Sequence, residues 1–166
     1  MSCWAAAIAM IVCWARSEKI SPRDIAKRSD RLDEYQTGLS PLDEELFDRW
    51  NMVSEAPQTY TAEGFMDLLQ EYGPVWAAAK VTAPHVRVIT GFEFAEVPYQ
   101  GPVFINDPLE RSLKSFRASN RGQSYSETYV QFVNESEKLG SEELTNPVLN
   151  DDKLYPVYFA HLKVRP

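Results

Sequence analysis

Ser2-Cys3-Trp4-Ala5-Ala6-Ala7-Ile8-Ala9-Met10-Ile11-Val12-Cys13-Trp14-Ala15-Arg16 is the stretch on which the fold turns. It is apolar almost all the way round a helical wheel, which predicts a helix from Ser2 or Cys3 to Arg16, buried at the centre of the molecule. The same stretch has the look of a signal-peptide core. It lacks the basic flank and the small-residue cleavage motif before Arg16, Glu18 and Lys19 that a signal peptide carries. At under about 20 apolar residues it is also too short to span a bilayer. Cys3 falls in the first turn, where the unpaired N–H groups and the helix dipole favour a thiolate over a thiol. Cys13 lies ten residues on, about 15 Å along the axis and on another face, so the two cysteines are not expected to form a disulfide. Cys13 is expected in the core.

Working outward, 166 residues suffice for one domain with its own core. A net charge of −7 argues against a nucleic-acid or anionic-membrane partner, since both demand clustered Lys and Arg. With only two cysteines and two histidines, neither a structural zinc site nor a cofactor is expected. Ser21-Pro22-Arg23-Asp24 reads as a capping box opening a short helix to Arg28, and Ser40-Pro41-Leu42-Asp43 as the same device before a helix ending near Trp50. Ser29 to Leu39 between them reads as a loop. Phe65, Leu68, Leu69 and Tyr72 keep helical spacing after Thr61 until Gly73-Pro74 stops them. Then the period changes to that of strands: Val75 to Val81, Val86 to Glu93, Val103 to Asp107, and Tyr155 to Val164. Ser124 to Lys138 is expected to turn helical from Glu127, and Leu139 to Lys153 to be a loop. The class is α+β, a single domain over 1–166 with a helical half (1–73) and a sheet half (74–166).

His85 stands at the mouth of one predicted strand and Asp107 at the end of the next, so pairing of the two strands would bring them together. An imidazole beside a thiolate completes an ion pair, and a carboxylate fixes the imidazole's tautomer. Helix N–H groups near Cys3 can hold the oxyanion of a tetrahedral intermediate. Strand alternation puts Asp107 on one face with Ile105 and Asn106 on the other, so only one of the two can address His85.

Four ordered motifs give the pattern a name. Ser2-Cys3-Trp4-Ala5 resembles the opening of a papain-like nucleophile helix, in the variant typical of bacterial effector peptidases. Leu69-Gln70-Glu71-Tyr72-Gly73-Pro74-Val75-Trp76 resembles the segment before their histidine strand. His85-Val86-Arg87-Val88-Ile89-Thr90-Gly91 and Val103-Phe104-Ile105-Asn106-Asp107-Pro108 are similar to their histidine and Asn-Asp-Pro motifs. Similar motifs occur in double-glycine leader peptidases. The resemblance implies a papain-like fold, its nucleophile helix packed on an antiparallel sheet, with Cys3 as nucleophile, His85 as general base and acid, and Asp107 as orienter. Asn106 is the rival for that third role, since papain uses an asparagine there. Trp4, next to the nucleophile, is a candidate to line the substrate cleft.

The family's oxyanion glutamine has no counterpart ahead of Cys3, which leads us to expect a fragment of a longer protein. The implied function is a cysteine endopeptidase acting on a protein through a thioester, as a secreted effector or toxin delivered into a target cell. A cognate immunity protein is the expected inhibitor, and a small residue is expected near the scissile bond. A papain-fold deamidase or acyltransferase, and a catalytically silent interaction domain, stay open at this stage.

Overall fold

The computed structural model describes residues 2–38, 43–56, 58, 60–80, 84–109, 122–136 and 158–166. In chain order the elements are α1 (Cys3–Arg16), α2 (Pro22–Arg28), α3 (Glu34–Thr37), α4 (Glu44–Arg49), β1 (Met52–Ser54), α5 (Ala62–Tyr72), β2 (Val75–Lys80), β3 (Pro84–Phe92), β4 (Pro102–Asp107), β5 (Gln123–Thr128), α6 (129–136) and β6 (Tyr158–Leu162). The class is α+β. Six strands form one antiparallel sheet in the order β1-β6-β2-β3-β4-β5.

Strand alternation divides the interior into two cores, one on each face. Trp76, Ala78, Val86 and Val88 face α1, α2 and α4, where Trp4, Ile8, Ile11, Ile25 and Phe47 are all nearly or wholly buried. Val75, Ala77, Ile89, Val103 and Ile105 face α5 and α6, around a cluster of Phe65, Tyr129, Phe132 and Phe159. α1 thus lies on one face of the sheet, while α5, from the helical half, lies on the other. The halves also interleave, since β1 pairs with β6 at the sheet edge. Ile8 and Ile11 are 0% exposed, and trimming either to alanine would cost about 2–5 kcal/mol. Among the described residues no helix is long and apolar enough to cross a membrane.

Local chemistry sets the element ends. The Ser21 hydroxyl accepts from the Asp24 N–H at 3.1 Å, with Pro22 in the first turn. Thr61 caps α5 through the Gly64 N–H. Gly73 ends α5 at φ +82°, and a Cβ there would meet the Trp14 ring at 2.3 Å, so only glycine lets α1 and α5 approach at this point. β3 carries a bulge between Ile89 and Gly91, which shifts its register against β4 by one residue.

Several expectations change. The helix after residue 43 is capped by Asp43, whose carboxylate accepts from Leu46 N at 3.0 Å; the expected Ser40-Pro41 cap lies outside the described residues. The loop expected from Ser29 to Leu39 contains α3. The segment read as turning helical from Glu127 is strand β5 first and helix only from 129. Cys13 is half-buried and belongs to neither core; both cysteines are free. The expected loop from Leu139 to Lys153 is outside the described residues.

Candidate active site

α1 begins at Cys3, and its N-terminus differs from those of α2, α4 and α5. Those three are closed by the side chains of Ser21, Asp43 and Thr61; Ser2, the residue before Cys3, makes no side-chain cap. The first N–H to find a helical partner is that of Ala6, which bonds Ser2 O at 3.0 Å. The first turn of α1 therefore keeps its positive end turned toward the thiol.

β3 brings His85 to this helix start, and β4 brings Asp107 to His85. The β3–β4 pairing sets Val88 opposite Asn106, which leaves His85 and Asp107 together at the end of the hairpin. His85 Nε2 lies 2.5 Å from Asp107 Oδ1. The other ring nitrogen is left for Cys3, to which the imidazole is also hydrogen-bonded. Asp107 is 1% exposed, and its Oδ1 accepts from the Leu109 N–H at 2.8 Å as well. Asn106 points the other way: its Oδ1 accepts from the exposed Ser124 hydroxyl at 2.6 Å. Of the two candidates for the third position, Asp107 is the one the sheet brings to His85.

The electrostatics follow from these contacts. Burial alone would push the His85 imidazole down, but the hydrogen bonds it donates to Asp107 and Cys3, with their charges, raise its pKa to about 9. Burial likewise opposes a Cys3 thiolate. The hydrogen bond and charge of His85, and then the Val86 and Trp4 backbone N–H groups, hold the thiol below its ordinary value. Both shifts run toward a thiolate–imidazolium pair backed by a carboxylate.

Trp4 corrects an expectation. It is 1% exposed and its indole N–H donates to Glu34 O at 3.2 Å, so it anchors α1 to α3 and has no surface to offer a substrate. Trp76 is core, edge-on to Phe47 at 5.2 Å. His161 sits on β6 with Nε2 2.7 Å from Glu55 and Nδ1 donating to Leu162 O at 2.6 Å.

Sequence reasoning missed the charges beside the site. Arg87 is 0% exposed, and its Nη1 donates to Glu127 and Glu135, both at 2.8 Å, and to the Tyr125 oxygen at 3.3 Å. Burial opposes the guanidinium's charge, but Glu127, Tyr125 and Glu135 hold its pKa above the ordinary value. The signal was present: Arg87 interrupts the apolar run Val86-Arg87-Val88-Ile89, two residues from His85 and so on its face.

The model of the family described as papain-like cysteine protease AvrRpt2 matches residues 1–121. The chain belongs to that family of papain-like cysteine proteases. Comparisons with curated proteins and with solved structures give no match.

Proposed function

We propose that the protein is a cysteine endopeptidase of papain-like fold in which Cys3 is the nucleophile, His85 the general base and acid, and Asp107 the residue that orients the imidazole. The observation that carries this reading is the His85 ring held at Nε2 by Asp107 while its other nitrogen addresses a thiol at an uncapped helix N-terminus. The Cys3 thiolate attacks the scissile carbonyl carbon, and the charge gathers on the carbonyl oxygen near the first-turn N–H groups of α1. The imidazolium gives its proton to the leaving amine as the C–N bond breaks, leaving a thioester. Water, deprotonated by the now neutral His85, then releases the acid and restores the thiolate.

The biological setting we propose is a bacterial effector delivered into a target cell, where it cuts a protein with a small residue near the scissile bond. The match to the family described as papain-like cysteine protease AvrRpt2 supports that setting. An immunity protein docking over Cys3 would be its natural inhibitor.

The test compares wild type with Cys3→Ala on a cell proteome and reads new N-termini. Termini made by wild type alone are expected, and identical profiles would refute the reading. Substrates changed in mass without new termini would assign the same thiolate to deamidation or acyl transfer.

A further inference from the structure

A buried guanidinium is costly, and a well-packed apolar side chain in its place is often no less stable, so its position invites a functional account. Arg87 follows His85 by two residues, and extending the β3–β4 register one step past Val88 and Asn106 sets it opposite Asp107. Its Nη1 reaches the phenolic oxygen of Tyr125 at 3.3 Å, and that oxygen lies 3.4 Å from Asp107 Oδ2. The direction of this chain is fixed by donor inventory. A guanidinium has only N–H donors, so the Tyr125 oxygen accepts from Arg87 and turns its own hydrogen toward the carboxylate, which can only accept.

We propose that Tyr125, set by Arg87, is a positioning residue for Asp107, a role that rests on reading Cys3, His85 and Asp107 as the catalytic group. Oδ1 takes His85 and the Leu109 N–H, and Oδ2 takes the Tyr125 hydroxyl. Donors on both oxygens fix the plane of the carboxylate, and that plane fixes the tilt of the imidazole toward Cys3. Both contacts of Tyr125 are longer than an ordinary hydrogen bond, and contacts of that length at catalytic sites often tighten once substrate is bound. Glu127 and Glu135 complete the arrangement by anchoring Arg87 from β5 and α6. A purely structural tie between β3, β5 and α6 is the competing account.

Tyr125→Phe separates the two, since it keeps the ring and removes only the hydroxyl. On a peptide spanning a site that wild type cuts, kcat should fall about tenfold with KM within twofold. The alkaline limb of the pH profile should move to lower pH, because a less firmly held carboxylate stabilises the imidazolium less. In an Asp107→Asn chain, adding Tyr125→Phe should change nothing further, because the effect passes through Asp107. An unmoved pH limb, or an equal loss in both backgrounds, would overturn the positioning role. Alkylation of Cys3 against pH, in a Cys13→Ala background, reads the thiolate without any substrate. If Cys3 in the otherwise intact chain titrates as an ordinary thiol, the catalytic reading itself fails and this role falls with it. If it titrates low and Tyr125→Phe leaves the curve in place, only the positioning role fails.

Discussion

Two histidines of this sheet each set Nε2 against a carboxylate, His85 with Asp107 at 2.5 Å and His161 with Glu55 at 2.7 Å. The pairs share that contact and differ in what surrounds it. His161 spends its second nitrogen on the Leu162 carbonyl and lies stacked on Tyr72, ring centroids 3.9 Å apart, at 2% exposure. His85 keeps its second nitrogen for Cys3, and its side chain is 11% exposed. A histidine–carboxylate pair is therefore not a site in itself. What makes one is a ring nitrogen left over, with a nucleophile placed to use it.

That contrast can be broken most forcefully at His85. His85→Ala should lower kcat/KM by about 10²–10⁴-fold, measured on the folded fraction. Equal losses from His85→Ala and from a Glu55 variant would erase the distinction. The pH profile comes next. With the His85 pKa raised to about 9, the imidazolium that protonates the leaving amine persists to that pH, and activity should fall about tenfold per unit above it. The acid limb should lie below the ordinary thiol range, because the Cys3 thiolate is favoured. The same raised His85 pKa stabilises the fold below about pH 6.5, and that contribution is lost as pH climbs through about 9. Denaturant midpoints at pH 6 and 10 would show it.

Smaller effects should mark the His161 end, and as stability alone. Gly73→Ala places a Cβ against Trp14 at a positive φ, next to Tyr72, and should cost about 3 kcal/mol in chemical denaturation. Glu55→Ala removes the partner of His161 Nε2 and the acceptor of the Tyr60 hydroxyl, and should cost about 2 kcal/mol. Both variants should cleave substrate within twofold of wild type once corrected for the folded fraction. A large loss of activity in Glu55→Ala would join the two regions that the geometry separates.

What the sequence disclosed divides along the same physical line. α1, α2 and α5 announce themselves through apolar spacing and capping residues, and β3 and β4 through β-branched runs, the second ending at Pro108. From those elements, Cys3, His85 and Asp107 could be placed, and alternation alone set Asp107 and Asn106 on opposite faces. β1 is three residues long, too short to show a period. β5 hid for a more instructive reason. Its inward positions are Tyr125 and Glu127, polar because they serve Arg87, so its alternation does not read as apolar against polar. The missed strand and the missed part of the site are one feature, since burial of Arg87 rewrites the pattern of its neighbour. Trp4 faces the core, and adjacency to Cys3 along the chain says nothing about direction. On a helix the next residue lies about 100° round, here in the core.

The bulge after Ile89 bears on how such a hairpin can vary. On the reaction side of it, odd-numbered residues of β3 (Arg87 and Ile89) face α5 and α6; beyond it, Phe92 does. The strand is thus two lengths out of phase, joined by one surplus residue. Phase at the far tip, where Phe94 and Tyr99 are exposed, is set separately from phase at His85. A lineage could redraw that tip for a new partner while the chemistry at the other end kept its alignment, and two traits on one ribbon could evolve at separate rates.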